Sequence, residues 1–264
     1  MNEDEAICNP SDFVRYVAQN KKISADLIRV PHRLVITYQR STYERASKLI
    51  DGKCADWWMY GDTQPFCVGR FNNVEIGLIR PWIGAPAAVM TLEEMIACGS
   101  KIIFEVGLSG GLQPYMQPSD VVVVTEAIRD EGTSNHYLPQ ETRVESSQRL
   151  RKSLADRLNK EKIKHSLGAV WSTDAVYRET CGEFRKFRGS GVLAVNMETS
   201  AVFALAKYRN VEAASVQAIS DILTENGWLQ AYEHHSVLES TEAVLKAVLN
   251  VLSEAEYQSR PEKV

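Results

Sequence analysis

No two cysteines in this chain stand at C-x-x-C spacing. The five, Cys8, Cys54, Cys67, Cys98 and Cys181, are scattered and odd in number, which argues against a disulfide framework or a zinc cluster and for a reducing compartment. No apolar run is long enough to cross a bilayer, and no basic-then-apolar leader opens the chain. A cytoplasmic location with no membrane partner is therefore expected. Positive charge is not in excess either: the net charge is -4, which gives no electrostatic reason to expect nucleic acid. The glycines follow neither the G-x-G-x-x-G dinucleotide spacing nor a loop ending in G-K-[ST], and no G-x-S-x-G elbow occurs. No metal is expected, the tandem His234-His235 included.

What is present is an ordinary globular composition of 264 residues, 44% hydrophobic and 24% charged, enough for one large α/β domain. The first thirty residues are polar and mixed, with a short helix over 11–19, and read as an arm or extension. Strands are expected at 34–38, 66–71, 74–79, 102–106, 121–125, 166–171, 192–195 and 213–219. Asn72-Asn73 reads as a tight hairpin turn. Helices are expected over 41–50, 84–98, 145–159 (charged, hence a solvated outer helix), 199–208 and 235–252. Alternation of strands and helices without repeats or a linker implies a single α/β domain over 31–254. It would hold a central mixed β-sheet flanked by helices, with a frayed tail at 255–264.

Four expected strand ends carry glycines or polar groups: Gly107 to Gly111, Thr173-Asp174, Met197-Glu198 and Ser220-Asp221. Ends of one α/β sheet that share an edge make one cleft. The Gly107–Gly111 stretch, read as a loop, has the composition for N–H groups that turn to an anion or a sugar hydroxyl. Asp221 follows an apolar strand. Desolvation there would raise its pKa and suit it to proton donation, although an N-cap or Asx turn uses the same residue type. Met197 reads alone as core filler and Glu198 as a first-turn carboxylate. His136 reads equally as a sugar partner or a surface histidine, and Trp82 and Trp228 equally as pocket edge or core.

Together these residues resemble the nucleoside phosphorylase family of uridine phosphorylase, the hexameric bacterial purine nucleoside phosphorylases and methylthioadenosine nucleosidase. The matching pieces are Gly84-Ala85-Pro86, then Gly107-Leu108-Ser109-Gly110-Gly111-Leu112-Gln113-Pro114 with Asp120-Val121-Val122. Arg129 to Ser134 with His136, then Met197-Glu198 and Ser220-Asp221, follow in the family's order. The resemblance implies cleavage of a nucleoside's N-glycosidic bond through an oxocarbenium-like transition state. Met197, Glu198 and His136 would hold the ribose, Ser109 and Gly110 would face the nucleophile, and Thr173, Asp174 and Asn196 would line the base pocket. Asp221 would bond to or protonate the departing base, which favours a purine, since uridine phosphorylases have no aspartate there. A homo-oligomer, dimer or hexamer, is also implied. No cofactor is, with phosphate the co-substrate.

The departures concern the nucleophile. The family's strand followed by Gly-Asp-Pro and an arginine is here Tyr38-Gln39-Arg40-Ser41, and the arginine before the glycine-rich stretch is replaced by Glu105. The arginine that a neighbouring subunit lends has no counterpart near Asp62. A dianion needs positive charge. Either Arg40 or Arg80 supplies it and phosphorolysis is kept, or Glu105 orients a water and the protein is a nucleosidase. Loss of turnover, leaving a nucleoside-binding protein, is the third reading.

Overall fold

Among the described residues, eleven strands form one mixed sheet flanked by helices, as the strand–helix alternation implies. The structure is a computed structural model and describes residues 6–255; the expected frayed tail lies outside them from residue 256 on. In chain order the elements are α1 (Pro10–Lys21), β1 (Arg33–Ile36), α2 (Arg40–Leu49), β2 (Lys53–Cys54), β3 (Phe66–Phe71), β4 (Val74–Ile79), α3 (Ala85–Ala97), β5 (Ile102–Gly111) and β6 (Val121–Asp130). There follow β7 (Val144–Glu145), α4 (Gln148–Lys160), β8 (Ser166–Thr173), α5 (Cys181–Gly189), β9 (Ala194–Asn196), α6 (Thr199–Tyr208), β10 (Glu212–Thr224), β11 (Gly227–Gln230) and α7 (His235–Glu254).

The path runs β11-β10-β6-β8-β9-β5-β1-β4-β3-β2, and β10 also pairs with β5. Strands β5, β10, β6, β8 and β9 therefore close on themselves into a ring. The closure depends on β5, which is longer than its apolar run. Gly107–Gly111 is its second half and not a loop, paired with β10 from Ile102 to Gly111 and with β9 at Gly110 and Gly111. Its turn-like composition answers a steric need: an added Cβ at Gly107 would lie 2.5 Å from Gln217 Oε1, and one at Gly111 2.8 Å from Ile222 Cδ1.

Helix positions follow from their apolar stripes. In α4, expected as a solvated helix, Leu150, Leu154 and Leu158 at four-residue spacing are completely buried, facing α7. Each such burial stabilises by roughly 1.5–3 kcal/mol. Helix α6 is buried from Thr199 to Ala206. The segment read as an N-terminal arm is docked as well: α1 packs on α3 with Val17 fully buried, and Phe13 and Val14 join the same core. Ala255, the last described residue, accepts a hydrogen bond from Arg33 Nε at 3.1 Å.

Candidate active site

One cavity of about 750 Å³ opens over the ends of β5, β9 and β10 and is roofed by the start of α2, the 176–179 turn and β11. Of the residues singled out from the sequence, Arg40, Ser109, Gly110, Asn196, Met197, Glu198 and Asp221 line it.

Glu198 stands between β9 and α6, 6% exposed. Its Oε1 accepts the Gly84 N–H at 2.7 Å and its Oε2 the Met197 N–H at 3.2 Å. Gly84 adopts φ of 104°, a left-handed conformation available to glycine, and aims its N–H from the head of α3 at this carboxylate. Burial, then the charge of Glu105, pushes Glu198 up to about 8 against those two hydrogen bonds.

Asp221 was expected at a strand end and instead lies within β10, which continues into a hairpin with β11. The register with β5 shifts between Ile219 and Asp221. Such a bulge re-aims side chains, and Asp221 faces the cavity. Ser220 Oγ donates to its Oδ1 at 2.6 Å and Trp228 Nε1 to its Oδ2 at 2.7 Å. Burial raises its pKa, and the two donors oppose that rise. Gly110 makes room for it: an added Cβ would lie 2.8 Å from Asp221 Oδ2 and 2.7 Å from Leu223 Cδ1.

Asn196 takes Ser172 Oγ at 2.7 Å and gives Nδ2 to Thr199 Oγ1 at 2.6 Å, so its amide is engaged in holding β8, β9 and α6 together. Ser109 gives its hydroxyl to Gln217 Oε1 at 3.1 Å. Glu105 does not reach the cavity. It is completely buried behind the wall, accepting from Tyr38 Oη at 2.8 Å, Thr199 Oγ1 at 2.5 Å and Gln217 Nε2 at 3.2 Å. Burial raises its pKa. A carboxyl so enclosed positions Tyr38 and Thr199 and does not orient a water.

Four further candidates lie outside. His136 is exposed on the short turn 133–136, and the polar stretch around it serves the loop: Arg129 Nη2 donates to Asn135 Oδ1 at 2.9 Å and to the Leu138 carbonyl at 2.9 Å. Arg80 donates to the Thr63 carbonyl at 3.4 Å. Thr173 is buried, and Asp174 is exposed with the Gly132 N–H on its Oδ2 at 2.8 Å. Of the two tryptophans left open, Trp228 borders the cavity and Trp82 does not.

The lining also contains residues that the sequence did not single out: Tyr38, Tyr177, Glu179 and Tyr232. Tyr177 and Trp228 meet edge to face at 6.4 Å, as do Trp228 and Tyr232 at 6.2 Å, making an aromatic wall beside Asp221. Burial and the Asp221 charge push Glu179 up to about 7. Only the position of Glu179 after Tyr177, at the far end of the polar stretch from Ser172, could have flagged it. Five lining carboxylates (Glu44, Glu179, Glu198, Asp221, Glu233) face one guanidinium, Arg40, which is paired to Glu44 at 2.7 Å.

Comparison with known proteins bears on this arrangement. A model of the phosphorylase superfamily matches residues 44–255. The uridine phosphorylase of Treponema pallidum is 28% identical over 191 residues, spanning 68% of this chain and 73% of that one. A DeoD-type purine nucleoside phosphorylase of Caldanaerobacter subterraneus is 27% identical over 188 residues, 70% and 79% of the two chains. The solved uridine phosphorylase of Vibrio fischeri superposes with a TM-score of 0.77 at 22% identity, over 87% of this chain and 95% of that one; it shares the fold.

Proposed function

The chain belongs to the phosphorylase superfamily, and on that premise we propose that it cleaves the N-glycosidic bond of a nucleoside, a purine nucleoside by preference, and releases the free base. The observation that carries this reading is the pair of buried carboxyl groups, Glu198 after β9 and Asp221 at the bulge within β10, facing one cavity.

Glu198, when ionised, accepts hydrogen bonds from the ribose hydroxyls while Met197 packs against the sugar. An oxocarbenium-like sugar carries developing positive charge, which a desolvated carboxylate stabilises more strongly than water does. Asp221, whose carboxyl burial raises above the usual carboxylate range, gives its proton to the departing purine when protonated and lets the base leave neutral. The aromatic wall of Tyr177, Trp228 and Tyr232 offers a flat base apolar and quadrupolar contact.

Phosphate is the nucleophile that family membership favours, with Arg40 as its cation and Ser109 and Gly110 beside it. Hydrolysis is the second reading, favoured by the five carboxylates that face one paired arginine. The protein, incubated with a panel of nucleosides with and without phosphate, should release base and ribose 1-phosphate only where phosphate is present. Base release independent of phosphate would overturn phosphorolysis in favour of hydrolysis. No release from any nucleoside would leave a binding protein.

A further inference from the structure

Of the lining carboxylates that are not fully exposed, all but one are hydrogen-bonded within the protein. Glu44 pairs with Arg40, Glu198 holds two backbone N–H groups, Asp221 holds Ser220 and Trp228, and Glu233 is exposed. Glu179 is half-buried, lines the cavity and has no hydrogen-bond or ion-pair partner among the described residues. It lies close enough to Asp221 and Tyr232 to interact electrostatically with both. Those two neighbours flank the aromatic wall formed with Trp228.

A half-buried acceptor with no protein donor is left to water or to a ligand, and a ligand that fills the cavity and displaces that water must supply a donor in its place. We infer that Glu179 is a specificity-determining residue that accepts a hydrogen bond from an exocyclic amine on the base, so that the site selects adenine-type over hypoxanthine-type bases. A 6-oxo group at that position would set its lone pairs against those of the carboxylate. Sites built to bond one polar group discriminate strongly against a ligand that lacks it. The inference rests on the proposed function only in taking the Asp221 end as the base end.

Calorimetric titration of the full chain with adenine and with hypoxanthine, at about pH 8.5 where Glu179 is ionised, tests it without requiring turnover. Wild type should bind adenine at least about tenfold more tightly. Glu179→Gln should lose most of that ratio through weaker adenine binding, and Glu179→Asp should keep part of it. Far-ultraviolet circular dichroism identifies a variant that has not folded, in which case the wild-type ratio and the other variant decide. Equal affinity for the two bases in wild type, a ratio unchanged by Glu179→Gln, or no binding of either base would each overturn the inference. Base release from nucleosides is scored separately, so cleavage of a nucleoside with no adenine preference sinks this inference and leaves the proposed function standing.

Discussion

The indole of Trp228 reaches back along the β10–β11 hairpin to give its N–H to Asp221, although Trp228 pairs with Leu223 and Asp221 with Gln230. That bond stabilises the ionised carboxylate and works against burial, which raises the Asp221 pKa. Trp228→Phe removes the donor and keeps the ring, so the carboxyl should titrate higher still. If Asp221 acts as the protonated donor, the alkaline limb of kcat/KM should move to higher pH in this variant. Asp221→Asn should reduce cleavage of purine nucleosides by about 10²-fold or more, while substrates with activated leaving groups are little affected. A limb that stays in place, or equal losses on both substrate types, would refute the donor role.

Glu198 links activity to stability through one titration. Its carboxyl titrates at about 8 in the folded protein and at about 4.3 in an unfolded chain. Between those values the native state holds a proton that the unfolded state has released, so Glu198 lowers stability progressively as pH rises toward 8. Glu198→Gln should therefore melt higher than wild type at about pH 8.5, by roughly 3 °C or more, and the gap should close near pH 4. Its kcat/KM should fall by about two orders of magnitude and lose the rise through pH 8 that ribose binding by the ionised form produces. Calorimetric melting across pH and an initial-rate profile check the two halves.

The fold and the placement of Met197-Glu198 at the cavity were the most legible in the sequence, because both follow from short-range pattern. The apolar runs at Val121–Val124 and Ala213–Ile219 lie within β6 and β10, and Met197-Glu198 stands between a strand and a helix as its neighbours require. The Gly107–Gly111 stretch misled. Its glycines resemble a turn, yet they answer to the side chains of β9 and β10, which are far away in sequence. The docking of α1 was hidden for a related reason: Val17 is one buried residue in a polar segment. Glu179 carried no local signal beyond its place in the polar stretch from Ser172, since its neighbours at the cavity come from a hairpin some forty positions onward.

Gly110 offers a test of that long-range packing. An alanine there would place a methyl 2.8 Å from Asp221 Oδ2 and 2.7 Å from Leu223 Cδ1, both side-chain ends that can give way. Gly110→Ala should therefore fold, with a loss of about 1–3 kcal/mol in stability. The carboxylate should be pushed off Trp228, with about a tenfold or greater loss in kcat/KM. The Trp228 contribution to fluorescence, taken as the difference from Trp228→Phe, should change as its N–H loses its partner. Full activity in Gly110→Ala would show that Asp221 does not depend on this clearance.

Arg40 decides how the nucleophile is held. Its guanidinium is paired to Glu44 at 2.7 Å on the exposed first turns of α2, where an ion pair contributes little to stability. If phosphate is the nucleophile, Glu44 competes with it for Arg40. Glu44→Gln should then lower the KM for phosphate several-fold, and Arg40→Ala should raise it by about tenfold or more, with both effects shrinking as added salt screens the charges. Neither variant should melt more than a few degrees from wild type, because both side chains are exposed. If water is the nucleophile, base release proceeds without phosphate and neither substitution alters its dependence on phosphate. The KM for phosphate across these two variants therefore separates an arginine that binds the nucleophile from one that only caps a surface ion pair.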